Sequence, residues 1–236
     1  MRFLISLILA QFLLLSPAMA QEQTAAQRPV LVELFTSQGC SSCPPADALL
    51  HDLAKRDDVI ALALHVDYWD YIGWKDVFAK PAHSKRQTAY AHAGDRRTRY
   101  TPQMIVNGAD HVVGNRVKDV TALVDRHARV APKVALELTR TGGQVTIDAR
   151  ALEPLKGPLV VQVVRYSPEN SIKITRGENA GRTINYANVV TDLTEIGTWD
   201  GRTPLSLKAR VGESSPIAVI IQYAGHGAVE AVASLR

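Results

Sequence analysis

The only two cysteines of this 236-residue chain are Cys40 and Cys43, with two serines between them. At that spacing one thiolate can attack a disulfide and the other can resolve the mixed disulfide that forms. The pair lies in Phe35-Thr36-Ser37-Gln38-Gly39-Cys40-Ser41-Ser42-Cys43-Pro44-Pro45, between an apolar run and a helix signal. A thiol at a helix N-terminus meets the positive end of the dipole and backbone N–H groups without intrahelical partners, and both favour the thiolate. Cys40, on the loop side, is the expected nucleophile, and Cys43, in the first turn, the expected resolving thiol.

Other chemistries compete for the same residues. Two cysteines cannot build a four-cysteine zinc site, so a metal set needs another ligand. Cys40, Cys43 and His65 form the candidate set, suited to copper(I) or, with a fourth ligand, zinc. A strand-end histidine bonded to a carbonyl accounts for His65 equally well. A purely structural disulfide would close a very short loop. The chain-entropy model gives it about 2 kcal/mol, against nearly 5 for a loop of about a hundred residues. Thiol–disulfide exchange on protein or small-molecule thiols, served by a redox partner protein, is therefore the favoured reading. A non-catalytic module binding copper, zinc or a partner protein is the alternative, and no cofactor is expected beyond the thiols.

The elements that must position the cysteines follow from the apolar pattern. Val30–Phe35 reads as a buried strand. Ala46, Leu49, Leu50 and Leu53 recur at helical spacing and predict a helix from about Pro44 to Lys55, with the prolines in its first turn. Val59–Val66 is a second buried strand, and the βαβ unit makes the two strands parallel. Open α/β sheets place their ligand crevice beyond the carboxyl ends of the strands. His65, Asp67 and the segment Asp67–Phe78 should therefore approach Cys40. That segment carries five of the fourteen aromatics, among them Trp69 and Trp74, the candidate substrate-binding residues; packing against the sheet is the competing explanation.

Further on, Pro81–Ala93 reads as a helix, Thr101-Pro102 leads into a strand and a hairpin turn at Asn107-Gly108, and Val117–Val130 has helical spacing. Lys80, Lys85, Arg86, Arg96, Arg97 and Arg99 crowd one region with only Asp95 against them, which predicts a solvated helix face. From Pro132 the chain becomes a series of short strands. The fold class expected is α/β, with a first domain over 21–131 and a smaller all-β sandwich over 132–236. Glu178, Asn179, Arg182 and Asn185 form a polar, Gly-flanked loop, structural by default, with Arg182 as the candidate partner contact.

Met1–Ala20 reads as a cleaved signal peptide: Arg2, an apolar run from Phe3 to Leu15, then Ala18-Met19-Ala20. Export to the periplasm or beyond would place the cysteines where disulfides persist. Removing Arg2 takes the net charge from +4 to +3, and neither nucleic-acid binding nor stable membrane insertion is expected.

Strand, Cys-x-x-Cys, helix, strand and a later Thr-Pro entering a strand resemble the thioredoxin fold. The stretches ELFTSQGCSSCPPAD (Glu33–Asp47), HVDYWDYIGWKD (His65–Asp76), TPQMIVNG (Thr101–Gly108) and GENAGRTINYANVV (Gly177–Val190) resemble more closely the exported bacterial proteins of domain of unknown function family 1223. By resemblance to thioredoxins, Pro102 is the cis-proline facing the disulfide, preceded by Thr101 as a substrate contact. Glu33 matches the buried acid that moves protons behind the disulfide, and Gly39 stands where thioredoxins carry a tryptophan.

Overall fold

The computed structural model describes residues 28–236, so the expected signal peptide lies outside the described residues. Strand β1 (Val30–Thr36), helix α1 (Pro44–Leu53) and strand β2 (Val59–His65) form the βαβ unit, with β1 and β2 parallel from Val30↔Val59 to Thr36↔His65. Helix α2 (Pro81–Ala93), strands β3 (Gln103–Val106) and β4 (Asp110–Val113) and helix α3 (Val117–Ala128) follow. The remainder is β5 (Val134–Thr141), β6 (Gln144–Ala151), β7 (Leu159–Lys173), β8 (Thr183–Trp199), β9 (Leu205–Arg210), β10 (Ile217–Tyr223) and β11 (Val229–Leu235).

These strands make a mixed eight-stranded sheet in the order β11-β10-β7-β8-β2-β1-β3-β4, and a three-stranded sheet β5-β6-β9. The expected boundary at 131/132 falls between α3 and β5, but the large sheet does not divide there. β8 lies parallel to β2 at Ala63↔Val189 and carries β7, β10 and β11 into the same sheet. The physical reason is the edge of β2. Its run VIALALH is wholly buried, and a free edge of that composition would invite pairing with another chain. Instead of a separate sandwich, the three-stranded sheet packs Val134, Val145 and Ile147 onto Val161, Val219 and Ile221 of the large sheet's outer half.

The alternation of side chains along a strand decides what each face of β1 holds. Val30, Val32 and Leu34 pack with Ala46 and Leu50 of α1 and Val120 and Val124 of α3. Leu31 and Phe35 point the other way, to Tyr90 of α2. On β2, Val59, Ala61 and Ala63 belong to the α1 face, which places His65 there too.

Candidate functional site

Cys40 and Cys43 are joined as a disulfide with their Cα atoms 5.4 Å apart. Cys43 is the N-cap of α1 and wholly buried, while Cys40 is 5% exposed. The prolines occupy the first two positions of the helix, as the sequence suggested, and they remove donors that a helix start would otherwise offer. The first N–H beyond them, that of Ala46, already donates to Cys43 O at 2.8 Å. The loop is closed by two turns, Cys40 N to Ser37 O at 3.1 Å and Cys43 N to Cys40 O at 3.2 Å, and Ser42 Oγ lies 3.4 Å from Cys40 Sγ.

Behind this loop, on the α1 face, lies a buried polar cluster. Asp76 Oδ2 accepts from Gln38 N at 2.8 Å and from His65 Nδ1 at 2.7 Å, and its Oδ1 accepts from Phe78 N at 2.8 Å. A carboxylate taking these donors places a proton of His65 on Nδ1. The imidazole is wedged edge-on between Phe78 and Tyr186, with ring centroids 5.2 and 4.9 Å away. Asp47 lies one turn along α1 from Cys43, so the two share a helix face. Its Oδ1 accepts from Thr36 Oγ1 at 2.8 Å. Burial pushes the Asp47 carboxyl up to about 7; His65 and the Thr36 hydroxyl oppose this, and Asp76 adds to it. His65 Nε2 and the Tyr186 hydroxyl are buried without a hydrogen-bond partner among the described residues.

Glu33 is placed elsewhere. It is wholly buried on the opposite face of β1, where Arg86 Nε and NH2 hold its carboxylate at 2.7 and 3.2 Å and the Tyr90 hydroxyl donates to it at 2.5 Å. The sheet stands between Glu33 and the disulfide helix, so the proton-carrier role implied by resemblance has no geometry to act through. Arg86, expected on a solvated face, is the buried partner of that acid because a buried charge needs a counter-charge and hydrogen bonds.

Thr101–Pro102 is a cis peptide bond, and Pro102 lies with Ala46 and Leu34 around Gly114, beside the first turn of α1. Trp69 Nε1 donates to Thr101 Oγ1 at 2.8 Å, tying the aromatic segment to this strand entrance. Trp74 Nε1 donates to Gln38 Oε1 at 2.7 Å, and its half-buried ring packs on the α1 core, so it supports the Cys loop from behind. Among the described residues the most exposed aromatic is Tyr71, stacked on Trp69. His65 is committed to Asp76, and among the described residues no three His, Cys, Asp or Glu side chains are grouped to hold a metal ion. The alternative Cys40, Cys43, His65 ligand set is therefore not assembled among the described residues.

Sequence reasoning gave no role to Asp47, Asp76 or Gln38. Asp47 carried a signal in its four-residue spacing from Cys43. The β7–β8 turn also reaches the site. Asn179 Nδ2 donates to Gln38 O and to Cys40 O, both at 2.9 Å, and Ser41 N donates to Glu178 Oε2 at 3.3 Å. Arg182 and Asn185, with Pro44, Ala48 and His51, line a groove of about 560 Å3 beside α1.

No curated protein matches the chain. A crystal structure of a protein from Agrobacterium tumefaciens is 34% identical, with 89% of this chain and 96% of that one covered and a TM-score of 0.76. HBP35 of Porphyromonas gingivalis is 13% identical, with 89% of this chain and 75% of that one covered, at a TM-score of 0.61, a likeness of fold alone. The family described as Protein of unknown function (DUF1223) matches residues 31–222, and the chain belongs to that family.

Proposed function

We propose that the protein is an exported, thioredoxin-like thiol–disulfide oxidoreductase acting on protein or small-molecule thiols through Cys40 and Cys43. The observation that carries this reading is a disulfide at the start of α1, beyond the carboxyl end of β1, with Cys43 wholly buried and Cys40 5% exposed. In the oxidising direction a substrate thiolate attacks Cys40 Sγ. The S–S bond breaks, and Cys43 leaves as a thiolate that must take up a proton. A second substrate thiol then displaces Cys40, so the substrate leaves as a disulfide and the protein holds two thiols. Two electrons have passed to the protein, and a partner disulfide takes them to close the cycle.

Asp47 is the group best suited to exchange the proton at Cys43. It shares a buried helix face with that residue, and a carboxyl titrating near neutral pH is matched to proton transfer under those conditions. His65 and Asp76 hold the polar cluster behind it. Copper or zinc binding finds less support, because His65 already serves Asp76.

The test is the equilibrium of the Cys40–Cys43 pair against glutathione, with thiol trapping of the protein from the cell envelope to read its working state. A potential above that of structural disulfides is expected. A value below about −300 mV, the range of inert structural bridges, would end the redox reading.

A further inference from the structure

The turn between β7 and β8 reaches the Cys loop from beyond residue 131, and its geometry is specific. Its backbone bonds close on themselves, with Ile174 N to Arg182 O at 2.9 Å, Gly181 N to Ile174 O at 2.8 Å and Ala180 N to Gly177 O at 3.2 Å. Residues 175–178 and 180–182 are exposed, yet Asn179 between them is 1% exposed and turned inward. Gly177, at φ +76°, lets the turn approach the Trp74 side chain, where a Cβ would come within 3.1 Å of Trp74 Cβ. A tip on the turn is thus shaped to present one amide, and Asn179 Nδ2 gives its two N–H groups to the carbonyls of Gln38 and Cys40.

Cys40 O is therefore satisfied twice, once by Asn179 and once by Cys43 N. That redundancy matters when the disulfide opens. A thiolate at Cys40 needs donors, and Pro44 and Pro45 bring none. Ser41 N is already engaged by Glu178. The Ser42 hydroxyl is at hand, 3.4 Å from the sulfur, and the Cys43 N–H becomes available only if the Cys40 carbonyl can spare it.

We propose that Asn179 is a positioning residue of the redox centre: it holds the Cys40 carbonyl so that the Cys43 N–H can turn to the Cys40 sulfur once the disulfide is reduced. Glu178, on the same turn, acts in the opposite sense, because its carboxylate sits beside Ser41 and repels a negative sulfur. The turn both supports and restrains the nucleophile. This inference rests on the redox reading above for its biological meaning, while its test reads the Cys40 thiol directly.

The experiment is the pH dependence of Cys40 alkylation by iodoacetamide in the reduced full-length protein with Cys43 replaced by alanine, compared with the same protein carrying Asn179→Ala, Asn179→Asp or Glu178→Gln. Losing one donor to a charged sulfur should shift the midpoint upward by about one pH unit. Asn179→Asp keeps the side chain's shape and reports on the lost donor should the alanine variant fold poorly; it should shift the midpoint upward at least as far. Glu178→Gln keeps an acceptor for Ser41 N and removes the charge, so its midpoint should move downward. Other titratable groups on the surrounding elements are Arg176 and Arg182 on the turn, Asp47 on α1, Lys75 in the aromatic segment, and His65 and Asp76 behind Gln38; all are unchanged in these variants. General loosening of the loop would move all variants in one direction, and that result, or unmoved midpoints for both Asn179 variants, overturns the proposal. Exchange of the native protein with oxidised glutathione is measured alongside. Its absence would sink the redox reading and leave the alkylation result to stand or fall by itself.

Discussion

Two buried acid clusters lie on opposite faces of the same strand, and they are finished to different degrees. On the α2 face Glu33 is met by Arg86 and Tyr90, and Gln162 and Gln222 take further guanidinium donors at 3.2 Å each. On the α1 face Asp47 has the Thr36 hydroxyl, His65 has Asp76, and His65 Nε2 and the Tyr186 hydroxyl are left over. A closed network of opposite charges holds its protons in place. An open one, with an acid of raised pKa and an imidazole nitrogen left without a partner, can pass a proton at modest cost. The open cluster is the one beside the disulfide helix. Under the proposed function, the difference separates a structural acid from a working one, although each is buried.

The largest effect expected from breaking this contrast is on stability, at Glu33. Glu33→Gln leaves the Arg86 guanidinium buried without its counter-charge, and losing one partner of such a pair costs about 3–5 kcal/mol. Urea denaturation at neutral pH should register the loss. The pH profile of disulfide exchange should be unmoved, since the change lies across the sheet from Cys43. A shifted profile with little loss of stability would return Glu33 to the redox site.

Asp47 should behave in the opposite way. Its carboxyl is raised from 3.8 to about 7 in the folded protein, so between those values the folded state holds a proton that the unfolded state has released. Stability from this group is complete below about pH 4 and is lost as pH climbs to about 7. The full difference is on the order of 4 kcal/mol. Asp47→Asn mimics the protonated acid and can still accept from Thr36. It should therefore match the native protein near pH 4 and exceed it in stability by an amount that grows to pH 7, then levels. The same variant should flatten the pH dependence of disulfide reduction between those values. Parallel stability curves for the two proteins would mean that Asp47 titrates as an ordinary surface acid.

The sequence could locate the disulfide but could not tell these clusters apart. The cysteines, the two parallel strands and the helix were legible because each is a local pattern. The face of Glu33 was not, because β1 reads VLVELFT and is buried on both sides; parity along a strand distinguishes faces only when one of them is polar. Arg86 was hidden within a run of cationic residues whose usual place is in solvent. Asn179 lies 139 residues from Cys40, and β8 pairs with β2 across more than a hundred. No local signal encodes such meetings, which is also why a domain boundary drawn from a change in pattern missed a sheet that runs through it.

The smallest expected effect comes from removing one oxygen atom from each cluster. The Tyr90 hydroxyl donates to Glu33 Oε2 at 2.5 Å and accepts from Arg86 NH2 and Gln222 Nε2, both at 2.9 Å. Tyr90→Phe leaves those buried groups short of a partner, and a lost hydrogen bond to charged groups should cost about 1.5–3 kcal/mol. The Tyr186 hydroxyl is buried with no partner among the described residues, and burial, with Asp47 and Asp76 nearby, raises its pKa. Tyr186→Phe keeps the ring against His65 and Phe78 and removes a polar atom whose desolvation is uncompensated, so its stability should be unchanged or greater by up to about 1 kcal/mol. Both variants are compared by urea denaturation at one pH. Equal losses would show that the Tyr186 hydroxyl is bonded in solution. The α1 cluster would then be as closed as the α2 cluster, and the distinction between a structural and a working acid would rest on Asp47 alone.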